Sequence, residues 1–363
     1  MIKYLGSKRT LVPVLGALFA RSGARTAVDL FTGTTRVAQE FLRRGGSVHA
    51  NDTAAYAEVL AQCYVETDPE TVDPAELAEA LAELAALPGR RGYVTEVFCE
   101  RARYFQPHNG MRIDAIRAGI DERYADHPLR PLLLTALLEA ADRVDSTVGL
   151  QMAFLKSWST RSHRALQLRA PVPAPGVGTA WRLDAYEAVR RLPPVDLAYL
   201  DPPYNQHRYF TNYHVWETLV RGDEPEHYGI ACKRIDARGA HTHSPWNSRR
   251  RMPAEFARVL TELRAEVLLV SYNNEGFLPL ETLRELCGTG GRSVEVLEFD
   301  TARHVGARIG IHNPAGVKVG QVSHTRTTEY LLVCGEQARV AAMVEELPSA
   351  GAPDGPPAVE AAG

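Results

Sequence analysis

Cysteine and long apolar runs are scarce in this chain. Its 363 residues include five cysteines, and none of them forms a Cys-x-x-Cys pair. This spacing argues against a disulfide framework or a structural zinc site and is typical of a reducing compartment. No stretch approaches the roughly 18 apolar residues of a membrane span, and the amino terminus lacks the apolar core of a secretory signal. We therefore expect a cytoplasmic protein without membrane contact.

A strong net charge is also absent, since 41 Lys and Arg residues face 44 Asp and Glu residues and give −3. The charges are unevenly distributed. Residues 66–87 hold seven acids and no base, and residues 335–363 hold five acids and one base, Arg339. The rest of the chain carries +8 once these −7 and −4 are set aside. Most of the chain is therefore basic, and a polyanionic partner is compatible with it.

Alternating strands and helices predict an α/β fold. Residues 26–31 form an apolar run, followed by the turn Thr32-Gly33-Thr34-Thr35 and a helical pattern from Arg36. A second strand over residues 47–51 ends at Asp52 and leads into another helix. Such alternation with short connections favours right-handed crossovers and a parallel sheet. Further strands are predicted at residues 179–183, 195–200, 266–271, 294–299 and 329–333, the last two as a hairpin around a basic loop.

The middle of the chain has a different pattern. Leucines recur at helical spacing in residues 74–87, and residues 128–144 form another helical run rich in Leu and Ala. The tail is rich in Ala, Gly and Pro, and we expect a short helix there followed by disorder. The predicted organisation is an α/β domain in two parts, residues 1–65 and 178–335, a mostly helical insertion over 66–177, and a tail over 336–363.

The most informative motif is Asp201-Pro202-Pro203-Tyr204, which follows the apolar run 195–200. The carboxyl end of a parallel strand faces the crevice in which open α/β sheets bind ligands. Two successive prolines remove two N–H donors, so carbonyls there are left free to accept from a ligand. An acid beside a free carbonyl forms a two-acceptor clamp for an amine, and a tyrosine offers a flat face for a planar ring. The motif therefore predicts a site for the exocyclic amine of a base.

Four other motifs accompany this one. They are Lys3-Tyr4-Leu5-Gly6-Ser7-Lys8, Asp29-Leu30-Phe31-Thr32-Gly33-Thr34-Thr35, Asn51-Asp52 and Arg208-Tyr209-Phe210-Thr211-Asn212-Tyr213. Together, and in this order around a long insertion, they resemble the Dam-like α-group of adenine-N6 DNA methyltransferases, which includes modification methylases of restriction systems. The resemblance implies a Rossmann-like S-adenosylmethionine-dependent methyltransferase sheet, mostly parallel with its last strand antiparallel. It also implies that the helical insertion takes part in target recognition.

The resemblance assigns individual residues as well. Asp201, Pro202 and Tyr204 would be catalytic, and Asp52 would hold the ribose of S-adenosylmethionine. From the residue types alone, Asp52 could equally be the N-cap of the helix that follows it, and the same holds for Asp184. Thr35 departs from the pattern, because the family often has a second glycine there. The predicted cofactor-binding residues are Tyr4, Gly6, Lys8, Asp29, Phe31, Gly33, Asp52, Asp184 and Asp201.

Basic segments near these motifs are candidates for contacts with DNA phosphates. They lie in residues 143–169, 231–264 and 301–327. Solvated arginine-rich loops would have the same composition. No metal site is predicted, because His241 and His243 lack a third ligand at suitable spacing. The predicted DNA-binding residues are Lys156, Arg161, Arg208, Phe210, Tyr213, Arg234, Arg249, Arg250, Arg251, Arg303 and Arg308.

The predicted reaction is transfer of a methyl group from S-adenosylmethionine to the N6 amine of an adenine extruded from double-stranded DNA. Cytosine-N4 methylation is the nearest alternative, because the same clamp can hold that amine. Methylation of RNA or of a protein amide, and a non-catalytic DNA-binding subunit with the same fold, are further alternatives. A companion restriction endonuclease and a location at the prokaryotic nucleoid are expectations that follow from the resemblance.

Overall fold

The computed structural model describes residues 2–4, 6, 8–302, 311–312, 318–320, 326–345 and 347. A seven-stranded sheet forms the centre of this part of the chain. Two small antiparallel pairs join His227–Tyr228 to Lys233–Arg234 and Ile311–His312 to Lys318–Gly320. The strands of the large sheet are β1 (Thr26–Asp29), β2 (Ser47–Asn51), β3 (Gly178–Trp181), β4 (Val195–Leu200), β5 (Ala265–Asn273), β6 (Ser293–Ala302) and β7 (Arg326–Gly335).

The order of the strands across the sheet is β3-β2-β1-β4-β5-β7-β6. Strands β1 to β5 pair in parallel, whereas β7 is antiparallel to both of its neighbours. The predicted mostly parallel sheet with an antiparallel last strand is therefore confirmed. The predicted hairpin is confirmed too, since Ser293 to Ala302 pair with Gly335 to Arg326. The insertion of β7 between β5 and β6 was not predicted.

Helices cover both faces of the sheet. They are α1 (Val12–Ser22), α2 (Arg36–Arg43), α3 (Ala55–Ala61), α4 (Pro74–Ala86), α5 (Pro107–Tyr124), α6 (Arg130–Val144), α7 (Ala185–Arg191), α8 (Tyr209–Asn212), α9 (His214–Arg221), α10 (Met252–Glu262), α11 (Leu280–Cys287) and α12 (Gln337–Val344). Two π-helical segments, Gln62–Glu66 and Val94–Arg101, complete the helical structure around the insertion. Within the described residues, no helix is both long and apolar enough to span a bilayer.

The apolar core has two layers separated by the sheet. Along β4, Leu197 and Tyr199 belong to one layer, whereas Ala198 and Leu200 belong to the other. This alternation follows from the period of two along a strand, and burial of both faces explains why β4 is apolar apart from Asp196 near its start. Helices α1 to α3 and the helices of residues 66–177 pack on the first face, and α7, α10 and α11 on the second. The insertion thus shares its apolar layer with the catalytic domain, and its part in target recognition stays a prediction.

Local signals explain where several helices begin and end. Asp73 accepts a hydrogen bond from Ala75 N, and Pro74 occupies the first position of α4, where its missing N–H costs nothing. Gly23 ends α1 in the left-handed conformation, with φ +69°. The Glu336 carboxylate accepts from the N–H groups of Ala338 and Arg339 and starts α12, the short helix predicted in the tail. Residues 348–363 lie outside the described part of the chain.

Candidate active site

A cavity lies at the carboxyl ends of β1 to β4. Strands β1 and β4 are neighbours, with β2 on one side and β5 on the other, so the crossovers diverge there as at a topological switch point. Asp29 is the last residue of β1, and Asp201 directly follows β4. The predicted residues that line the cavity are Tyr4, Phe31, Asp52, Asp184, Asp201, Arg208 and Phe210. The sheet topology thus brings together residues from five separate motifs.

Asp52 joins two strand ends. Its Oδ2 accepts from Gly33 N at 3.0 Å, and its Oδ1 accepts from Ala54 N at 3.1 Å. Burial raises the pKa of Asp52, although these backbone N–H groups act in the opposite direction. Asp184 also lines the cavity, and its Oδ1 accepts from Tyr186 N at 3.0 Å as the N-cap of α7. Asp184 therefore both caps α7 and lines the cavity wall, whereas Asp52 lines the wall and does not cap α3, whose N-cap residue is Ala54.

Asp29 carries an acceptor without a protein partner. Its Oδ2 accepts from Thr32 Oγ1 at 3.0 Å and from Ala38 N at 3.3 Å. Its Oδ1 is buried and has no hydrogen-bond partner among the described residues. Burial raises the pKa of Asp29 to about 7. An unpaired buried acceptor is costly, so this oxygen is suited to a donor from a ligand.

Thr35 adopts the conformation that a glycine would favour. Its φ is +63°, which is uncommon for a β-branched residue, and Gly33 in the same turn has φ +49°. Thr35 N donates to Thr32 O at 2.7 Å, and Thr35 Oγ1 accepts from Gln39 Nε2 at 2.8 Å. The departure from the family pattern therefore leaves the strand-turn-helix unit intact, because these hydrogen bonds hold the strained residue.

Tyr4 links the amino-terminal motif to the segment after the catalytic motif. Its ring stacks on Tyr213 with centroids 4.7 Å apart and on Tyr209 at 5.4 Å. A Cβ atom at position 33 would lie 3.0 Å from the Tyr4 ring, so this close approach requires Gly33. Gly6, with φ +73°, lies against the hydroxyl of Tyr209, where a Cβ would be 3.3 Å away. The predicted glycines thus shape the cavity wall through contacts with tyrosines.

Lys8 lies on the catalytic motif itself. Its ammonium is 3.0 Å from Asp201 Oδ1 and also contacts Glu329 Oε1. Lys8 is only 7% exposed, and Asp201 is 19% exposed on the cavity side. Burial raises the pKa of Asp201 to about 6 although Lys8 acts to lower it. Lys8 was predicted to bind the cofactor. Its partner Glu329 was not predicted, because nothing in the local sequence of β7 marks it.

The rest of the catalytic motif is fixed by packing. Pro202 is buried, and Tyr204 packs on Tyr272 with ring centroids 5.4 Å apart. The carbonyl of Tyr204 accepts from Phe277 N at 2.9 Å, and burial raises the pKa of the Tyr204 hydroxyl. The orientation of the motif therefore depends on β5 and on the residues that follow it.

Residues after the catalytic motif complete the wall. Trp246 is buried and meets Phe31 edge to face, with centroids 5.0 Å apart. Arg208 was predicted to contact DNA, but it lines the cavity and its Nη2 donates to Ala237 O at 2.5 Å and to Thr242 Oγ1 at 3.0 Å. Residues 242–247 were missed as part of the site, because no spacing in the sequence connects them with β1.

Two predicted DNA contacts are wrong because the side chains are buried. Arg234 is 1% exposed, and its guanidinium is held by Asp223 at 2.7 Å and Asp236 at 2.8 Å. Tyr213 is fully buried under Tyr4. Arg161 is 30% exposed, but its Nη2 is 2.5 Å from Asp145 Oδ1. Lys156, Arg249, Arg250 and Arg251 are exposed, whereas Arg303 and Arg308 lie outside the described residues.

Comparison with known proteins agrees with this geometry. Residues 4–268 match the model of the D12 class of N6 adenine-specific DNA methyltransferases. The match covers more than half of the chain and includes the cavity residues of all five motifs. The chain belongs to this family.

Relatives within this methyltransferase family differ in length. Type II methyltransferase M.NlaIII of Neisseria lactamica is 30% identical over 71% of this chain and 78% of its own length. M.CviAII of Paramecium bursaria Chlorella virus 1 is 27% identical over 76% and 85%. Modification methylase StsI of Streptococcus sanguinis is 27% identical over 78% of this chain but only 46% of its own length. This chain thus spans about half the length of StsI.

Among solved structures, the precorrin-6y C5,15-methyltransferase of Geobacter metallireducens GS-15 aligns over 93% of this chain and 94% of its own. The identity is 11% and the TM-score is 0.29, too low to support a statement about the fold. The fold assignment instead rests on the strand order and on the reversed direction of β7.

The cavity of this methyltransferase fits the cofactor that the family implies. S-adenosylmethionine carries two positive charges, on its sulfonium and its ammonium, and one negative charge. The cavity offers carboxylates at Asp52 and Asp201, with the unpartnered Oδ1 of Asp29 at the neighbouring strand end. Phe31 and Trp246 supply an apolar wall for a planar ring. The negative charge and the hydrogen-bond acceptors of the cavity therefore both match S-adenosylmethionine.

Proposed function

We propose that this protein transfers a methyl group from S-adenosylmethionine to the N6 amine of adenine within a defined sequence of double-stranded DNA. The observation that carries the proposal is the position of Asp201. It follows β4, lines the cavity, and forms its ion pair with Lys8 through Oδ1. A carboxylate has about four lone-pair sites, so Asp201 can still accept from an amine in the cavity.

The cofactor would be held by residues at the ends of β1 and β2. Asp52 would accept from the ribose hydroxyls, as an acid in this position does in nucleotide-binding folds. The unpartnered Oδ1 of Asp29 would accept from the ammonium. Phe31 and Trp246 would border the adenine ring. When bound, S-adenosylmethionine supplies a methyl group that its sulfonium has already activated.

The chain's own residues would orient the target amine. The Asp201 carboxylate and the Pro202 carbonyl accept its two N–H groups and draw the nitrogen lone pair out of conjugation with the ring. Tyr204, held by Tyr272 and by the hydrogen bond from Phe277 N, stacks on the extruded base. Positioning supplies most of the acceleration, and no covalent enzyme intermediate is required.

Exposed basic residues would position the duplex. Arg249, Arg250 and Arg251 lie just before α10, and the Arg249 guanidinium lies over the Phe277 ring at 5.3 Å from its centroid. Phe277 in turn contacts the catalytic motif through its N–H. Phosphate contacts at this place would therefore lie near the catalytic tyrosine and would set register without reading sequence.

We further propose a role in restriction-modification, because the relative StsI is described as a modification methylase and M.NlaIII as a type II methyltransferase. In such a role methylation protects the site from a companion endonuclease. Plasmid DNA from cells that express the protein should resist a restriction enzyme whose site overlaps the methylated sequence. DNA from cells without the protein should be cut.

The decisive experiment is methylation of plasmid DNA in vitro, followed by mass spectrometry of the nucleosides and single-molecule sequencing. N6-methyladenine within one sequence context is expected. If N4-methylcytosine were the only product, the base assignment would be wrong. If no methylated base formed in the presence of S-adenosylmethionine, a non-catalytic DNA-binding role would be favoured instead.

A further inference from the structure

Lys8 is buried between two carboxylates that come from distant parts of the chain. Asp201 follows β4, and Glu329 lies on β7, where it pairs with Asn273 of β5 and Phe299 of β6. Glu329 is 7% exposed and contacts the Lys8 ammonium directly. The antiparallel strand β7 therefore brings a second acid to the ammonium that pairs with the catalytic residue.

We propose that Glu329 is a positioning residue for methyl transfer, which holds the Lys8 ammonium on Oδ1 of Asp201 and so fixes the catalytic carboxylate toward the cavity. This rests on the proposed function. Lysine has a flexible stem with four rotatable carbons, and its ammonium would otherwise sample several positions. Contacts with two anions restrict the ammonium to one position, and the 3.0 Å ion pair in turn orients the Asp201 carboxylate.

A structural role alone explains this arrangement poorly. One cation between the buried Glu329 and the partly buried Asp201 leaves a net negative charge, and even partial burial of such a charge opposes folding. An apolar residue at position 329 would avoid that cost, since Leu331, which lies on the same face of β7, is already apolar and buried. The charge is therefore better explained by its effect on Lys8 and Asp201.

The pKa of Asp201 depends on this arrangement and can be used to test it. The negative charge of Glu329 raises the pKa of Asp201, whereas Lys8 lowers it. Removal of Glu329 should therefore move the acidic limb of the pH–rate profile to lower pH, and removal of Lys8 should move it to higher pH. The charged or titratable groups that interact with Asp201 are Lys8, Glu329, Asp29, Tyr199, Tyr204 and Tyr209.

The test compares Glu329→Gln with wild type and with Glu298→Gln, an exposed acid on the neighbouring strand β6. Glu329→Gln should lower kcat about tenfold at pH 8, with KM for S-adenosylmethionine within about twofold, because orientation and not cofactor binding is lost. Its acidic limb should move to lower pH. Lys8→Met should move that limb to higher pH, and Glu298→Gln should leave it in place.

A second readout needs neither DNA nor cofactor. The chain has five lysines, so ¹⁵N-lysine labelling gives a simple spectrum in which Lys8 is assigned by its absence in Lys8→Met. In wild type, the Lys8 ammonium signal should shift as Asp201 ionises near pH 6. Glu329→Gln should lower that midpoint and speed proton exchange at Lys8.

Two outcomes would overturn the proposal. One is a Glu329→Gln enzyme whose kcat and acidic limb match those of Glu298→Gln. The other is a Lys8 signal that does not respond to the substitution. If Glu329→Gln did not fold, Glu329→Asp should keep the limb in place while it lowers kcat. Nucleoside mass spectrometry of the wild-type product tests the proposed function separately from these readouts.

Discussion

Two clusters of buried charge in this protein differ in their balance. Around Arg234, the guanidinium groups of Arg234 and Arg221 pair with the neighbouring acids, and Arg221 Nη1 also lies 3.8 Å from Glu217 Oε1. Arg234 binds Asp223 and Asp236, and Arg221 lies 2.9 Å from Asp223 and 3.3 Å from Asp236. Burial pushes the pKa of Asp223 up, but its hydrogen bonds with Arg234 outweigh this and hold the pKa below its usual value. Each acid of this cluster therefore has a guanidinium partner within the protein, and we call the cluster balanced in that sense.

The cluster at the strand ends is not compensated in this way. Asp29, Asp52, Asp201 and Glu329 supply four carboxylates, and in the described part of the chain the ion pairs of these acids are made by Lys8. Burial raises the pKa values of Asp29, Asp52 and Asp201. A surplus of buried negative charge costs stability unless a cation arrives. The comparison suggests that a balanced cluster supports the fold, whereas an unbalanced one serves a cationic ligand.

Substitution in the unbalanced cluster should remove activity without loss of structure. We expect Asp201→Asn to lower the single-turnover rate on the order of 10³-fold, the cost of a charge-positioning group in other enzymes. Stability should stay at or above that of wild type, because a buried charge has gone. Asp126→Asn, an exposed acid after α5, is the matched control. A rate within about tenfold of wild type would contradict the catalytic role.

Substitution in the balanced cluster should have the opposite pattern. Arg234→Met leaves two acids without their main partner and should destabilise the protein by about 3 kcal/mol, the low end for buried ion pairs because Asp223 and Asp236 are partly exposed. Urea unfolding measures this. Arg238→Met, an exposed cation of the same segment that lies over the Tyr228 ring, should cost less than about 1 kcal/mol. Weaker DNA binding by folded Arg234→Met would break the comparison.

The exposed arginines supply the contrasting case. Simultaneous replacement of Arg249, Arg250 and Arg251 by alanine should weaken DNA binding and reduce the slope of log K against log salt by about 0.9 for each lost phosphate contact. Stability should change little, since the three side chains are exposed. Filter binding at several salt concentrations checks the slope. An unchanged slope would show that these residues are merely solvated.

Much of the cavity could be predicted from sequence, for a physical reason. Asp29 is the last residue of β1, Asp52 directly follows β2 and Asp201 directly follows β4, and parallel strands bring their carboxyl ends to one edge. Local pattern and sheet topology together suffice to place such residues. The same logic cannot find Glu329 or Trp246, because each reaches the site through long-range packing with no local motif.

Counts of basic residues gave wrong predictions of DNA contacts where burial decides the role of the side chain. Arg234 and Arg249 look alike in a list of basic residues, but Asp236 lies two positions after Arg234 and Asp223 precedes it in the same segment. Nearby acids are a signal that could have marked Arg234 as structural. The positive φ of Thr35 could not be anticipated, because the residue type disfavours it and only the hydrogen bonds of the folded turn reveal it.

The smallest expected effect concerns Asp29, whose negative charge should lower stability but favour binding of a cationic ligand. Its pKa rises from 3.8 in the unfolded chain to about 7 in the folded protein, so the folded state holds the proton more tightly. Stability contributed by the protonated form is therefore lost as pH rises from about 4 to about 7.

Asp29→Asn removes this loss and should be more stable than wild type at pH 8 by about 1 kcal/mol, after allowance for the amide it buries. A cationic cofactor analogue should bind wild type more tightly as pH rises toward 7, and Asp29→Asn should bind it more weakly and with a smaller pH dependence, because Asp201 still ionises near pH 6. Urea unfolding and calorimetric titration with sinefungin at pH 5.5 and pH 8 measure both. If Asp29→Asn were less stable at pH 8 and retained full pH-dependent affinity, Asp29 would belong with the balanced, structural charges such as those of Arg234.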